Sequence, residues 1–201
     1  MSAGPGPRNR SADPRREARR ALRQRRREAS AAERMAAAES LSSRLLAHPR
    51  FPVEGYVAGY WAMDGEVPLH ILQMRLGDGR VWCLPCVQPD GSLLFAPWRP
   101  GDALVSNQFG IPEPDLDPDS LLSPRDMAVV VLPLLGFTRG GQRLGTGGGF
   151  YDRSFAFRHD APAPPWLVGA AYSFQQLEEL ATQPWDVPLD AIATESELIE
   201  P

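Results

Sequence analysis

Four glycines, two arginines and one acid share the stretch RLGTGGGFYDR, residues 143–153. Glycine weakens helices and strands and is used where backbone must approach a ligand closely or take a positive φ. Backbone N–H groups in such a run converge on an anion, which predicts a phosphate. Arg143 stands where a guanidinium grips phosphate oxygens, and Asp152 offers a hard oxygen to the magnesium that accompanies a nucleotide. A second acid is expected from WDVPLDAIATE, where Asp186 and Asp190 both qualify and either can equally be a turn or cap residue. Two familiar phosphate loops are excluded. Walker A needs Gly-Lys, and the dinucleotide pattern G-x-G-x-x-G fails because Phe150 stands three residues after Gly147. A tight glycine turn with no ligand is the alternative reading of the same spacing.

The chain has no lysine at all, so Schiff-base chemistry and a lysine nucleophile are also excluded. Its basic residues are arginines, and ten of the 21 fall within the first 27 positions beside only Asp13 and Glu17. That arm carries a net charge near +8 (ten minus two), while the whole chain is at −4. Nucleic-acid binding by the arm is disfavoured, because the segment has no aromatic residue for base stacking and the acidic remainder would be repelled. Cys83 and Cys86 in VWCLPCV are followed by the turn QPDG, and the histidines are only His48, His70 and His159. The pair therefore reads as two small buried residues on a strand rather than a redox or zinc site. No apolar run is long enough to span a bilayer and no apolar leader opens the chain, so a cytoplasmic protein without membrane association is expected.

The elements that must position the loop follow from pattern and punctuation. Residues 1–14, rich in Gly and Pro, read as a disordered tail, and 15–201 as a single domain. A helix is expected over 15–29, then a second to about Ala47 opened by the Ser30/Glu33 capping box. Strands are expected at 56–61, 80–85, 92–98, 128–137 and 166–172. Helices are expected at 70–76, from Gly149 to about His159 and at 173–182, with a long surface loop at 112–124. Alternating strands and helices imply an α/β fold, a central mostly parallel sheet with helices on both faces, and ligands at the carboxyl ends of its strands.

LPLLGFTRGGQRLGTGGGFYDR resembles the signature of the 5-formyltetrahydrofolate cyclo-ligase (5,10-methenyltetrahydrofolate synthetase) family. RREARRALRQRRREAS is similar to that family's basic first helix, DGEV to its folate-contacting turn, WRPGD and FGIPEP to its middle segment, and WDVPLDAIATE to its C-terminal segment. The resemblance implies ATP- and magnesium-dependent ring closure of 5-formyltetrahydrofolate to 5,10-methenyltetrahydrofolate, with release of ADP and phosphate. It implies ATP contacts from Arg15, Arg16, Glu17, Ala18 and Arg19 on the first helix and from Arg143, Leu144, Gly145, Thr146, Gly147, Gly148, Gly149, Phe150 and Tyr151. Asp152 and Asp190 match the magnesium-linked acids, Glu66 the carboxylate that holds the pterin, and Trp61, Trp98 and Tyr151 the walls of the folate site. Arg143, Tyr151 and Asp152 are the implied catalytic set. The implied partners are ATP and 5-formyltetrahydrofolate, with no nucleic acid, no membrane and a monomeric chain. A relative that kept the fold and lost turnover, binding folate or nucleotide only, is the alternative; retention of Arg143, Asp152, Glu66 and the glycines weighs against it. Where many relatives carry lysine, this chain has Arg15 and Gly148.

Overall fold

The structure, a computed structural model, describes residues 14–201. The expected tail lies outside the described residues except for Pro14, which opens the first helix, α1 (Pro14–Glu28). Leu22 and Arg26 are the buried residues of α1, so hydrogen bonds and ion pairs do more than apolar area to seat it. α2 (Ala31–Ala47) begins at the expected capping box. The Ser30 hydroxyl accepts from the Glu33 N–H at 3.2 Å, and the Glu33 carboxylate accepts from the Ser30 N–H at 2.7 Å. Ala37, Ala38, Leu41 and Leu45 form the buried stripe of α2.

From there the chain runs through β1 (Gly55–Ala58), α3 (His70–Met74), β2 (Arg80–Val87) and β3 (Leu93–Pro97). A ribbon of β4 (Leu104–Ser106) and β5 (Pro112–Pro114) precedes β6 (Met127–Pro133), and a second ribbon joins β7 (Gly136–Phe137) to β8 (Arg143–Leu144). α4 (Phe150–Ser154), β9 (Trp166–Ala170), β10 (Ala191–Ala193) and β11 (Leu198–Ile199) complete it. Seven strands make one sheet in the order β11-β10-β9-β6-β1-β2-β3. The five inner strands are parallel, and antiparallel β11 and β3 close the edges, so the expected α/β class and mostly parallel sheet are found. Side chains alternate between its faces. Val57, Val129, Val131 and Val168 meet α2 and α3, while Ala58, Val130, Leu132 and Leu167 meet Phe137 and Phe155. Strand order reverses at β1, with β2 on one side and β6 on the other, and ligands of such sheets settle beyond the strand ends at that point.

Several elements differ from expectation, each for a local reason. The strand expected at 56–61 ends at Ala58, and Tyr60 and Trp61 leave the sheet. The strand expected at 128–137 stops at Pro133, which has no N–H for the ladder, and Gly136–Phe137 pairs with β8 instead. The loop expected at 112–124 contributes β5 to a ribbon whose turn is organised by Asn107, whose side chain accepts from the N–H groups of Phe109 and Ile111. The helix expected at 173–182 is only a 3-10 turn, Ser173–Gln175. The buried Gln175 amide donates to Leu134 O and Leu135 O, and the Leu177 N–H donates to Phe137 O, so tertiary hydrogen bonds displace the helical ones. From Gly149 to His159 the helix breaks into α4 and a 3-10 turn, Ala156–His159.

Candidate active site

The ribbon β7–β8 presents Arg143 at the start of the glycine loop. Its side chain is nearly buried. Nη1 donates to Val187 O at 2.5 Å, and Nη2 pairs with Asp152 Oδ1 at 2.5 Å, an oxygen that also accepts from the Val187 N–H at 3.0 Å. Burial draws the guanidinium pKa down and the charges of Asp152 and Asp186 draw it up. A guanidinium has enough margin to remain a cation, so the loop begins at a fixed positive charge. Gly147 has φ 111°, a conformation side chains rarely adopt, and a Cβ there or at Gly145 would meet nothing within 4 Å. Packing does not demand glycine at 145; the bare backbone faces open space. Arg153 fixes the loop from behind by donating to Gly148 O at 2.7 Å and Gly91 O at 3.0 Å. α4 has five residues and adds little dipole, so attraction for an anion comes from the amides with Arg143 and Arg19, whose Nε donates to Gly145 O at 2.9 Å.

The loop lines a cavity of about 620 Å³, a size suited to small molecules. Residues that follow the carboxyl end of β1 line it as well. Tyr60 donates to Val67 O at 2.7 Å, and the turn at Asp64 and Gly65 brings Glu66 to the wall. Glu66 Oε2 accepts from the Met63 N–H at 2.9 Å, and Oε1 lies 3.3 Å from Arg26 Nη1. Burial pushes the Glu66 carboxyl above the usual carboxylate range, opposed by the Met63 N–H and by Arg26. Tyr151 feels both charges: burial raises its phenol pKa, Glu66 raises it further, and Arg143 lowers it. It is therefore an O–H donor between a carboxylate and a guanidinium.

Most of the residues singled out from the sequence share this cavity. Arg15, Arg19, Arg143, Gly145, Thr146, Gly147 and Gly149 line it, as do Phe150, Tyr151, Asp152, Trp61 and Glu66. Arg16 and Glu17 are exposed on α1, Ala18 is half-buried, and Leu144 is buried. Gly148 lies off the wall, where a Cβ would meet the Phe150 ring at 2.4 Å. Trp98 is also off the wall, edge-on to Trp61 with ring centroids 5.8 Å apart. Arg26, Tyr60, Phe109 and Glu113 line the cavity and were not singled out. Phe109 arrives on the β4–β5 ribbon and meets the Phe150 ring edge-on at 5.4 Å. The Asn107–Gly110 turn between two apolar residues is the signal that could have found that ribbon.

The acids divide similarly. Asp152 and Asp186 are on the wall, and Asp186 pairs with Arg15 at 3.1 Å. Each has one carboxylate oxygen without a hydrogen bond among the described residues. Asp190 is not on the wall: its oxygens lie 2.8 and 2.9 Å from Arg158 Nη2, and Oδ2 also accepts from the Leu167 N–H. Among the described residues no group of three or more His, Cys, Asp or Glu could hold a metal alone. Asp152 and Asp186 suit magnesium, which takes one or two carboxylates and completes its shell with phosphate and water. Cys83 and Cys86 are free and buried on β2, with thiols pushed up to about 12 by burial, so neither is a thiolate at neutral pH. No described helix is long and apolar enough to cross a membrane.

Comparison with known proteins bears on this arrangement. Residues 11–195 match the model of the 5-formyltetrahydrofolate cyclo-ligase family. The chain is 35% identical over 184 residues to 5-formyltetrahydrofolate cyclo-ligase of Escherichia coli, covering 89% of this chain and 99% of that one. It is 38% identical over 136 residues to the protein of the same name from Haemophilus influenzae, covering 66% and 72%. An NMR structure of Aquifex aeolicus 5,10-methenyltetrahydrofolate synthetase superposes with a TM-score of 0.77 at 30% identity, covering 92% of both chains. The Mycoplasma pneumoniae protein of that name shares the fold, with a TM-score of 0.68 at 23% identity, covering 91% of this chain and 99% of that one.

Proposed function

The chain belongs to the 5-formyltetrahydrofolate cyclo-ligase family, and on that premise we propose that its cavity closes the ring of 5-formyltetrahydrofolate to give 5,10-methenyltetrahydrofolate, coupled to conversion of ATP to ADP and phosphate. One observation carries the assignment of the two substrates: a bare glycine loop flanked by Arg19 and Arg143 and a carboxylate, Glu66, line one cavity, and the charges of both Glu66 and Arg143 act on Tyr151. In the reaction the γ-phosphoryl group passes to the formyl oxygen, the second folate nitrogen attacks the activated carbon, and phosphate leaves with that oxygen. No protein nucleophile is required, so the chain acts by positioning and by neutralising charge.

Arg19, Arg143 and the amides of 145–149 hold the phosphates. Arg15 extends that charge from α1. Glu66 accepts the pterin N–H groups, Trp61 and Phe109 flank the ring, and the Tyr151 O–H meets the formyl group where it approaches the phosphoryl group. Magnesium, when bound, neutralises phosphate charge, and Asp152 and Asp186 are the residues that would hold it, since Asp190 reaches it only by giving up Arg158. All the named residues come from one chain, so this reading needs no second subunit at the site.

Calorimetry with each ligand separately tests this division. Arg19→Met should weaken ATP binding and leave folate binding unchanged; Glu66→Gln should do the reverse. Effects that are exchanged, or that fall equally on both ligands, contradict it.

A further inference from the structure

We propose that Arg26 is the positioning residue of the pterin-binding acid: its guanidinium fixes Glu66 and the turn that carries it, so that the carboxylate meets folate in one geometry. The inference rests on the reading of Glu66 as the pterin's partner. Arg26 is 1% exposed and is a cation on a helix whose other buried residue is Leu22. A cation is not left in an interior without partners. Its partners are all in one turn: Nε donates to Asp64 O at 2.9 Å, and Nη1 donates to Glu66 Oε1 at 3.3 Å.

The turn is pressed against α1 at that same residue. Gly65 has φ 78°, and a Cβ on it would lie 2.7 Å from the Arg26 carbonyl oxygen, so only glycine fits. Arg23 and Arg27 also reach this turn, at 3.5 and 2.6 Å from Asp64, but those pairs are exposed and screened by solvent. Among the described residues Arg26 is the one arginine paired with Glu66. A carboxylate has roughly four acceptor positions; with one oxygen on the Met63 N–H and the other on Arg26, capacity remains for the ligand.

The groups facing Glu66 are Arg26 from α1, Asp64 from its own turn, Tyr60 beyond β1, Tyr151 from α4 and Tyr172 beyond β9. Arg26 is the cation in contact. It opposes the effect of burial, so its removal should move the protonation of Glu66 to higher pH.

The test is a double-mutant cycle read by steady-state kinetics, with the thermal midpoint of each variant as a check on folding. Arg26→Gln should raise the folate KM about tenfold with the ATP KM within about twofold, and move the acid limb of kcat/KM for folate upward. In the Glu66→Gln background the same change should add nothing to the folate KM. Arg26→Lys should recover part of the loss, and it replaces Arg26→Gln in the cycle if that variant does not fold. Equal effects of Arg26→Gln in both backgrounds, with an unmoved acid limb, would mean a purely structural role and overturn the proposal. If Glu66→Gln alone leaves the folate KM unchanged, the folate-site reading itself fails, and this inference with it.

Discussion

Asp152 is the residue that ties Arg143 to the segment at Val187 and that, in the proposed reading, would also hold magnesium. Its Oδ1 is committed to Arg143 and to the Val187 N–H, while the carboxylate faces the cavity. Asp152→Asn keeps the shape and removes the charge, so kcat should fall at least ~100-fold while the circular dichroism spectrum stays near wild type; the melting temperature should drop, because the nearly buried Arg143 loses its counter-charge. Near-normal turnover would remove Asp152 from the metal site. Glu66 makes the second prediction. Its raised pKa means that kcat/KM for folate declines as pH falls through a value above the ordinary carboxylate range, and Glu66→Gln should abolish that limb. The sign for stability is the reverse: a carboxyl that ionises less readily in the fold favours folding at low pH, and that contribution is lost as pH rises past its raised value. The melting temperature of Glu66→Gln should therefore fall less than that of wild type as pH rises across the weakly acidic range. Arg143, Asp152 and Glu66 were legible because they lie in compact local motifs. Arg26 was not, since nothing in RQRRRE distinguishes the arginine that turns inward from its exposed neighbours until the turn at Gly65 is packed against it.

α1 behaves as an arm laid across the cavity. Arg15 meets Asp186, Arg19 meets Gly145 and Arg26 meets Glu66, all on one face at helical spacing. Removing residues 1–10 should leave turnover unchanged, whereas removing 1–20 should raise the ATP KM about tenfold or more, because the guanidinium groups of Arg15 and Arg19 leave the cavity wall. Equal behaviour of the two truncations in a kinetic assay would sink the nucleotide role of α1. The helices α1 and α2 and the strands β2, β3, β6 and β9 could be read from composition, capping and apolar runs. The elements that could not be read are those whose hydrogen bonds go to distant backbone. SFQQLEELAT has helical propensity, yet Gln175 and Leu177 bond to the chain around β7. β10 and β11 are too short to stand out beside WDVPLDAIATE, which reads first as a motif. β1 ends early where Tyr60 and Trp61 depart to line the cavity, so local pattern gives way to the site there.

At the scale of the molecule, a parallel sheet reverses its strand order at β1, and the site occupies the crevice beyond that reversal. The sheet supplies rigidity and the loops supply chemistry. If the cavity takes both ligands, each should protect the fold, and ATP with magnesium and folate together should raise the melting temperature more than either alone. The most direct test of the central claim, that this one cavity joins ATP to 5-formyltetrahydrofolate, is the absorbance of 5,10-methenyltetrahydrofolate when purified protein meets 5-formyltetrahydrofolate with magnesium, with and without ATP. The expected result is a rise that requires ATP, disappears with a chelator, and is absent in Asp152→Asn. A rise independent of ATP, or no rise while calorimetry detects both ligands bound, would contradict it.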